Sequence, residues 1–320
     1  MAATQRPPWK HHYVPRLLLR RFARDGKVLS RISRAGKATG ATPDSVCWKG
    51  DFHTLEGEGH PDPVWIERYL GSNVEEPANV ALKSITGPDG FPPAEPHRRA
   101  LARFVAWQLL RGPDARALAN TVPRFIFDVG ARFVSRVRAA EMLNELGLPV
   151  DAMTGELRKN PLLDLLGRTA DHVTGSIGEM HLTLVRFPER SLITSDRPVV
   201  VWDKITRDHP PYGVGVRLPH ILSLHLDPHH ALLLTPPQTV DDDTPERVVD
   251  GSPENAKILN WRTAQWAWDQ VFHHPDHTPL PAEPLPPRAS FDEMLIREID
   301  ERLGERPWHV RKIGRWLLKR

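Results

Sequence analysis

Apolar residues in the middle of the chain recur at the three- and four-residue spacing of an amphipathic helix. The first such segment covers residues 62–85, where Asp62 and Pro63 provide a typical helix start and Ile66, Leu70 and Val74 share one face. The same spacing returns over residues 97–120, 123–146 and 160–175. The pattern therefore predicts a mainly helical body.

After Met180 the spacing changes to short runs of Leu, Val and Ile, broken by Pro, Asp and Gly. These runs, at residues 181–188, 192–196, 198–202, 220–228 and 229–236, are typical of neighbouring antiparallel strands. A further strand is expected at 28–32, a loop or short helix at 48–55, and a helix at 252–272.

These patterns predict the α+β class, with a mainly helical body and a small antiparallel sheet from residues 180–236. We expect one α+β domain over residues 1–276. Residues 277–320 are expected to form a Pro-rich linker and a basic C-terminal tail with a helix at 291–303.

Composition narrows the classes of protein that the chain can belong to. Hydrophobic residues make up 40% of the 320 positions, enough for a substantial core. The single cysteine, Cys47, excludes an intrachain disulfide and a multi-cysteine zinc site. Without a run of about 20 apolar residues or a signal-peptide pattern, we expect a cytoplasmic protein with no membrane partner.

The formal net charge is only +3, but basic residues cluster at both ends of the chain. Trp308 and Trp316 lie within the basic C-terminal cluster, a combination suited to nucleic acid or an anionic surface. The alternative is a tail that docks on its own domain.

The segment Lys10 to Arg16 holds two adjacent histidines before an apolar and basic run. Because adjacent side chains point in divergent directions, at least one of His11 and His12 is expected to face a polar site. The alternative is a surface pair before a turn, since two histidines alone have neither the spacing nor the acidic partner of a known metal motif.

The sequence HHYVPRLLLRRF resembles the opening signature of a bacterial family catalogued as domain of unknown function 4238. The resemblance continues through DF, IERYLGSNVEEP, WQLLRGP, ITSDRPVV and HILSLHLDPHHALLLTP, and spans roughly residues 8–272. It implies a shared fold and a shared polar centre but carries no settled activity. Arg197 departs from the family pattern, which leads us to expect a small or polar residue there.

The matching segments supply imidazole, carboxylate and guanidinium groups, the mixture that metal-assisted or acid–base chemistry uses. We expect a divalent metal ion, Mg²⁺, Mn²⁺ or Zn²⁺, with the ligands His11, His12, Glu67 and Asp196. The expected catalytic residues are His11, His12, Glu76, Gln108, Arg111 and Asp196. The expected substrate-binding residues are Tyr13, Arg16, Arg20, Arg111 and Ser195.

This residue set predicts a metal-assisted phosphodiesterase, specifically a nuclease, whose basic N-terminal run follows the nucleic-acid backbone. Two alternatives stay open. One is a non-catalytic module that binds or senses a nucleotide or nucleic acid, for example in a toxin or defence system. The other is a buried structural network in which Asp196 caps a strand end and Arg111 pairs with Glu67 or Glu76.

Overall fold

A computed structural model describes residues 9–57, 62–202, 221–241, 243–280 and 283–287. It confirms the α+β class. The chain divides into two compact units, the first containing the described residues up to 112 and from 169 onward, the second containing 113–168. The single domain expected over residues 1–276 stays a prediction. The helix expected at 291–303, together with Trp308 and Trp316, lies outside the described residues.

Helices account for most of the regular structure in the middle of the chain. A π-helical segment, Leu70–Glu75, joins the second helix to the third. The second unit contains the fifth and sixth helices and the first half of the seventh. The helices are α1 (Arg16–Arg21), α2 (Trp65–Tyr69), α3 (Glu76–Ile85), α4 (Glu95–Leu110), α5 (Pro113–Gly130), α6 (Arg136–Glu145), α7 (Lys159–Gly178) and α8 (Pro253–Trp266).

Three sheets lie in the first unit. The strands are β1 (Lys10–His12), β2 (Leu29–Ser33), β3 (Ala38–Ala41), β4 (Trp48–Gly50), β5 (His181–Arg186), β6 (Thr194–Ser195), β7 (Val199–Trp202), β8 (Ile221–Asp227), β9 (His230–Thr235), β10 (Arg247–Asp250) and β11 (Gln270–His273). The five-stranded sheet has the order β10-β5-β9-β8-β7, the four-stranded sheet the order β3-β2-β11-β6, and β1 pairs with β4. The antiparallel sheet predicted from residues 180–236 is confirmed as β5, β7, β8 and β9, and β10 joins it in parallel. The run at 192–196, predicted as a neighbouring strand, instead contributes β6 to the four-stranded sheet, because it pairs with β11.

The α8 helix covers part of the four-stranded sheet and contacts β6, β7 and β11. It begins with a capping box, in which Ser252 and Asn255 each accept a hydrogen bond from the other's backbone N–H. A compact apolar core forms where this helix meets β2 and β11. Its members are Ile32, Ile193, Ala264, Ala267, Val271 and Leu285.

The helix predicted over residues 252–272 is shorter than expected, because it ends at Trp266 and residues 270–273 form β11. Arg34 donates hydrogen bonds to the carbonyl oxygens of Ala264 and Ala267 and so satisfies groups at the helix end. The carboxylate of Asp196 then accepts the next backbone N–H groups, which turns the chain into a strand. Both partners are distant in sequence, so local periodicity does not report this boundary.

Four other boundaries also differ from the sequence prediction. The helix predicted over residues 97–120 is divided between α4 and α5, with a break at residues 111–112. The segment predicted as a loop or short helix at 48–55 contains β4, whose partner β1 lies far away in sequence. The helical pattern of residues 123–146 is divided between α5 and α6, and Ser135 caps the second of these. The helix expected from Asp62 begins at Trp65, because the Asp62 carboxylate pairs with Arg68 instead of capping the helix.

Candidate metal centre

The β1 strand places His11 and His12 beside the chain segment that follows β4. In the β1–β4 ladder His11 lies opposite Lys49 and His12 opposite Trp48. Asp51 then adopts a left-handed backbone conformation (φ 51°) and the chain turns, since the Thr54 N–H bonds to the Asp51 carbonyl. This turn brings His53 back against the buried side chain of His11.

His11, His53 and Glu67 form a compact group of potential metal ligands. The nearest ligand atoms of the three side chains all lie within 4.8 Å of one another. Nδ1 of His53 is 2.9 Å from Oε2 of Glu67, and Nδ1 of His11 is 3.9 Å from the same oxygen. The two imidazole rings stack, with centroids 5.7 Å apart and planes 12° from parallel. His11 and His53 are buried, and the Glu67 side chain is one-quarter exposed.

The backbone orients one of these imidazoles. The N–H group of His53 donates a hydrogen bond of 2.9 Å to Nδ1 of His11, which therefore carries no proton and would have to exchange this hydrogen bond to bind a metal ion through the same lone pair. Burial raises the pKa of Glu67, but the hydrogen bond from His53 and the electrostatic effects of His53, His11 and Arg111 together lower the pKa by more, so that the net shift is downward. The carboxylate is thus held in the ionised form that a metal ion requires.

Arg111 is completely buried immediately after α4 and contacts the strand end that carries the histidines. Its Nε donates to the Tyr13 carbonyl and its Nη1 to Oε1 of Glu75, each at 2.8 Å. Within the described part of the chain its Nη2 has no hydrogen-bond partner, and the same holds for both amide atoms of buried Gln108 one turn earlier. Buried polar groups without partners are rare, and they mark a place for a ligand or an ordered water molecule.

The π-helical segment decides which glutamate reaches Arg111. The structural alternative from the sequence pairs Arg111 with Glu67 or Glu76, but Glu76 is exposed and Glu75 forms the ion pair. Because a π-helix bonds residue i to i+5, this segment turns the chain less per residue than an α-helix does, and it shifts the face presented by every later residue. Glu67 and Glu75 consequently both lie within electrostatic reach of Arg111.

His12 lies near this group but contributes no atom to it. Burial lowers the pKa of His12 to about 4, followed by the positive charge of Arg16, while Glu67 and Asp44 act in the opposite direction and Arg111 adds to the lowering. Its Nε2 is buried and has no hydrogen-bond partner among the described residues. His12 is therefore a neutral imidazole beside the centre and not the ligand that the sequence predicts.

Asp196, predicted as a metal ligand and catalytic residue, has a different role. Its Oδ1 accepts the N–H of Trp268 at 2.8 Å, and its Oδ2 accepts those of Asp269 and Gln270 at 2.8 and 3.1 Å. Burial raises the pKa of Asp196 to about 7, whereas these three N–H groups act to lower it. Both oxygens are thus occupied by the start of β11, as in the structural alternative for this residue.

We expect Asp196→Ala to lower the free energy of unfolding by about 1–3 kcal/mol, because it removes the acceptor of three part-buried backbone N–H groups. Equilibrium urea unfolding measures the loss. Asp269→Ala is the matched control, because Asp269 is the exposed neighbour and its change should stay within about 0.5 kcal/mol. Equal losses in the two variants would refute the capping role.

The predicted substrate-binding residues are dispersed. Ser195 is buried, and its hydroxyl donates to the Arg197 carbonyl and accepts the Arg197 N–H, which forms a local turn. Tyr13 shares a hydrogen bond with the Cys47 thiol, and burial raises the pKa of its hydroxyl. Arg16 and Arg20 are half-exposed on α1 and both face Asp44, at 2.9 and 3.9 Å.

His53 is the functional candidate that sequence reasoning missed. It directly follows the Asp51–Phe52 pair of the family resemblance, but it lies outside the His11–His12 pair and outside every helical pattern. Only the antiparallel pairing of β1 with β4 brings it against His11. The signal in the sequence that could have identified His53 is its position directly after a segment that resembles the family.

Taken together, the fold and this centre define an α+β protein with a largely buried His–His–Glu cluster beside an arginine, one of whose hydrogen-bond donors has no partner among the described residues. Residues 10–277 match the family described as protein of unknown function (DUF4238), and the chain belongs to that family. No curated protein and no solved structure matches it. Among the described residues, no helix has the length and apolar character needed to cross a bilayer.

Proposed function

We propose that the protein is a metal-dependent phosphodiesterase, a nuclease that acts in the cytoplasm. The observation that carries the proposal is the convergence of His11, His53 and Glu67 within 4.8 Å. Two imidazoles and a carboxylate are the protein ligands of several hydrolytic zinc sites, and such sites leave a coordination position open for water. The nitrogen donors favour Zn²⁺ or Mn²⁺ over Mg²⁺, which prefers an all-oxygen shell.

A divalent ion held by these residues would supply a Lewis acid and lower the pKa of a bound water molecule. The chain's own contribution is positioning and charge. Nη2 of Arg111 offers a donor to a phosphoryl oxygen, while Tyr13 and Glu75 fix the guanidinium through Nε and Nη1. Gln108, one turn earlier on the same helix, offers a second donor.

The direct test is cleavage of labelled DNA and RNA oligonucleotides with added Zn²⁺ or Mn²⁺, in parallel with EDTA. We expect cleavage only with metal, and its loss in Glu67→Gln, because the amide keeps the shape of the carboxylate but not its charge. Glu76→Gln is the matched control, because Glu76 is exposed. Absence of cleavage under every condition, or cleavage that survives EDTA, would contradict the proposal.

A second candidate is a non-catalytic module that binds a nucleotide or nucleic acid. The observation in its favour is that the unused donors of Arg111 and Gln108 can hold an anion without any metal. Binding of a nucleotide in EDTA, together with no product from any nucleic acid, would favour this candidate.

A further inference from the structure

Two tryptophans lie at the ends of β1 and β4, beside the proposed centre. Trp9 precedes β1 and is 45% exposed, and its ring meets the Trp48 ring edge-on with centroids 5.2 Å apart. The Trp9 ring also packs against Gly50, where an added Cβ would lie only 3.3 Å from Cε3 of Trp9. The ring of Trp9 is thus held in place while nearly half of the residue stays open.

One lysine, Lys10, provides positive charge at the same place, whereas Lys49 lies on the other face of the β1–β4 ladder. Nζ of Lys10 lies 4.4 Å from the Trp48 ring centroid and 5.6 Å from that of Trp9, and Nζ of Lys49 lies 5.5 Å from the Phe52 centroid. Lys10 is exposed, and its ammonium group has no carboxylate within 4.0 Å in the described part of the chain. Cation–π contacts hold this charge beside the rings of Trp9 and Trp48 without neutralising it.

Aromatic rings next to uncompensated lysines are what proteins use to bind single-stranded nucleic acid. The rings stack on bases, whose faces are hidden in a duplex, and the lysines pair with phosphates. The position also fits, because Lys10 directly precedes His11 in β1 and Trp48 lies opposite His12 in the β1–β4 ladder, one residue from a proposed metal ligand. A strand bound here passes next to the proposed metal centre.

We propose that Trp9, Lys10 and Trp48 form a platform that binds single-stranded nucleic acid. This inference rests on the proposed function, since it names single strands as the substrate class of the same site. The platform holds the strand by base stacking and phosphate pairing, independently of the metal ion.

The test is fluorescence anisotropy of a labelled single-stranded oligonucleotide with the full-length protein in EDTA. We expect Trp9→Ala and Trp48→Ala each to weaken binding by about tenfold, the effect of losing one stacked base. Trp9→Phe should weaken it less, since it retains an aromatic face. Trp261→Ala is the matched control, because Trp261 is 55% exposed on α8, and it should leave the affinity unchanged.

Lys10 is tested through the salt dependence of the same binding. Lys10→Gln should reduce the slope of log K against log salt by about 0.7, the value for one phosphate on a single strand. Unchanged affinity in both tryptophan variants, or equally tight binding of a duplex, would overturn the platform. Tryptophan-dependent binding to anionic lipid vesicles with no oligonucleotide binding would identify a membrane-facing surface and overturn it too.

The two proposals fail separately. Tryptophan-dependent binding in EDTA by a protein that cleaves nothing would retain the platform and reject the phosphodiesterase. Metal-dependent cleavage whose rate and affinity are the same in Trp9→Ala, Trp48→Ala and wild-type protein would do the reverse.

Discussion

His53→Ala is expected to abolish stoichiometric Zn²⁺ or Mn²⁺ binding, whereas His12→Ala is expected to retain it. His53 contributes a ligand atom to the group with His11 and Glu67, and His12 contributes none. Mutation of a residue that only hydrogen-bonds to a metal ligand typically weakens metal affinity by about 10–100-fold. Removing one of the three protein ligands themselves should weaken it by more. Elemental analysis after dialysis against the metal, followed by a competition titration with a chelating dye, measures the difference.

The comparison is informative because both histidines lie beside His11 and Glu67, but only His53 contributes an atom to the group. Far-ultraviolet circular dichroism of each variant controls for folding. Metal loss in His12→Ala with retention in His53→Ala would restore the sequence-based ligand set and refute the structural one. No metal in the wild-type protein would remove the metal centre and leave His53 and Glu67 as a hydrogen-bonded pair.

Arg111→Met is expected to have the second large effect, on both stability and activity. The substitution removes the charge that Glu75 faces and the donor that the Tyr13 carbonyl accepts. Breaking a completely buried pair costs about 3–5 kcal/mol, and we expect about 2–4 kcal/mol here because the Glu75 side chain is 27% exposed. Urea unfolding measures the loss, and Arg103→Met, at an exposed position of the same helix, is the control.

Measurements of oligonucleotide cleavage distinguish a role of Arg111 in phosphate binding from its role in stabilising the fold. The double variant Arg111→Met/Glu75→Gln removes the uncompensated carboxylate and should recover part of the lost stability. It should not recover oligonucleotide cleavage, because the donor for the phosphoryl oxygen is still absent. Recovery of cleavage along with stability would show that Arg111 serves the fold alone.

The sequence predicts the elements whose determinants are local. The helical spacing around Phe104 and the alternating runs around Leu224 and Leu232 correspond to α4 and to the β8–β9 hairpin. Both depend on which face of a single segment is apolar, and that information is present within the segment itself.

The sequence does not predict features that depend on distant partners. β4 exists because β1 pairs with it, α8 ends because Arg34 and Asp196 take its next polar groups, and His53 reaches His11 only through the β1–β4 ladder. The exchange of Glu76 for Glu75 has a different cause, since a π-helical segment leaves no clear mark on the apolar spacing. The candidate centre was therefore found in part, with His11 and Glu67 predicted and the third member missed.

The order of the four-stranded sheet has a consequence for how the protein is made. β2 pairs with β11, so residue 33 lies opposite residue 270, and Asp196 is needed to start that last strand. A ribosome must therefore release almost all of the described chain before this sheet can close, and until then the edge of β2 has only β3 beside it. Pairings between such distant residues fold slowly and expose strand edges during synthesis. Truncation before residue 270 should consequently yield an aggregating product and not a smaller folded protein.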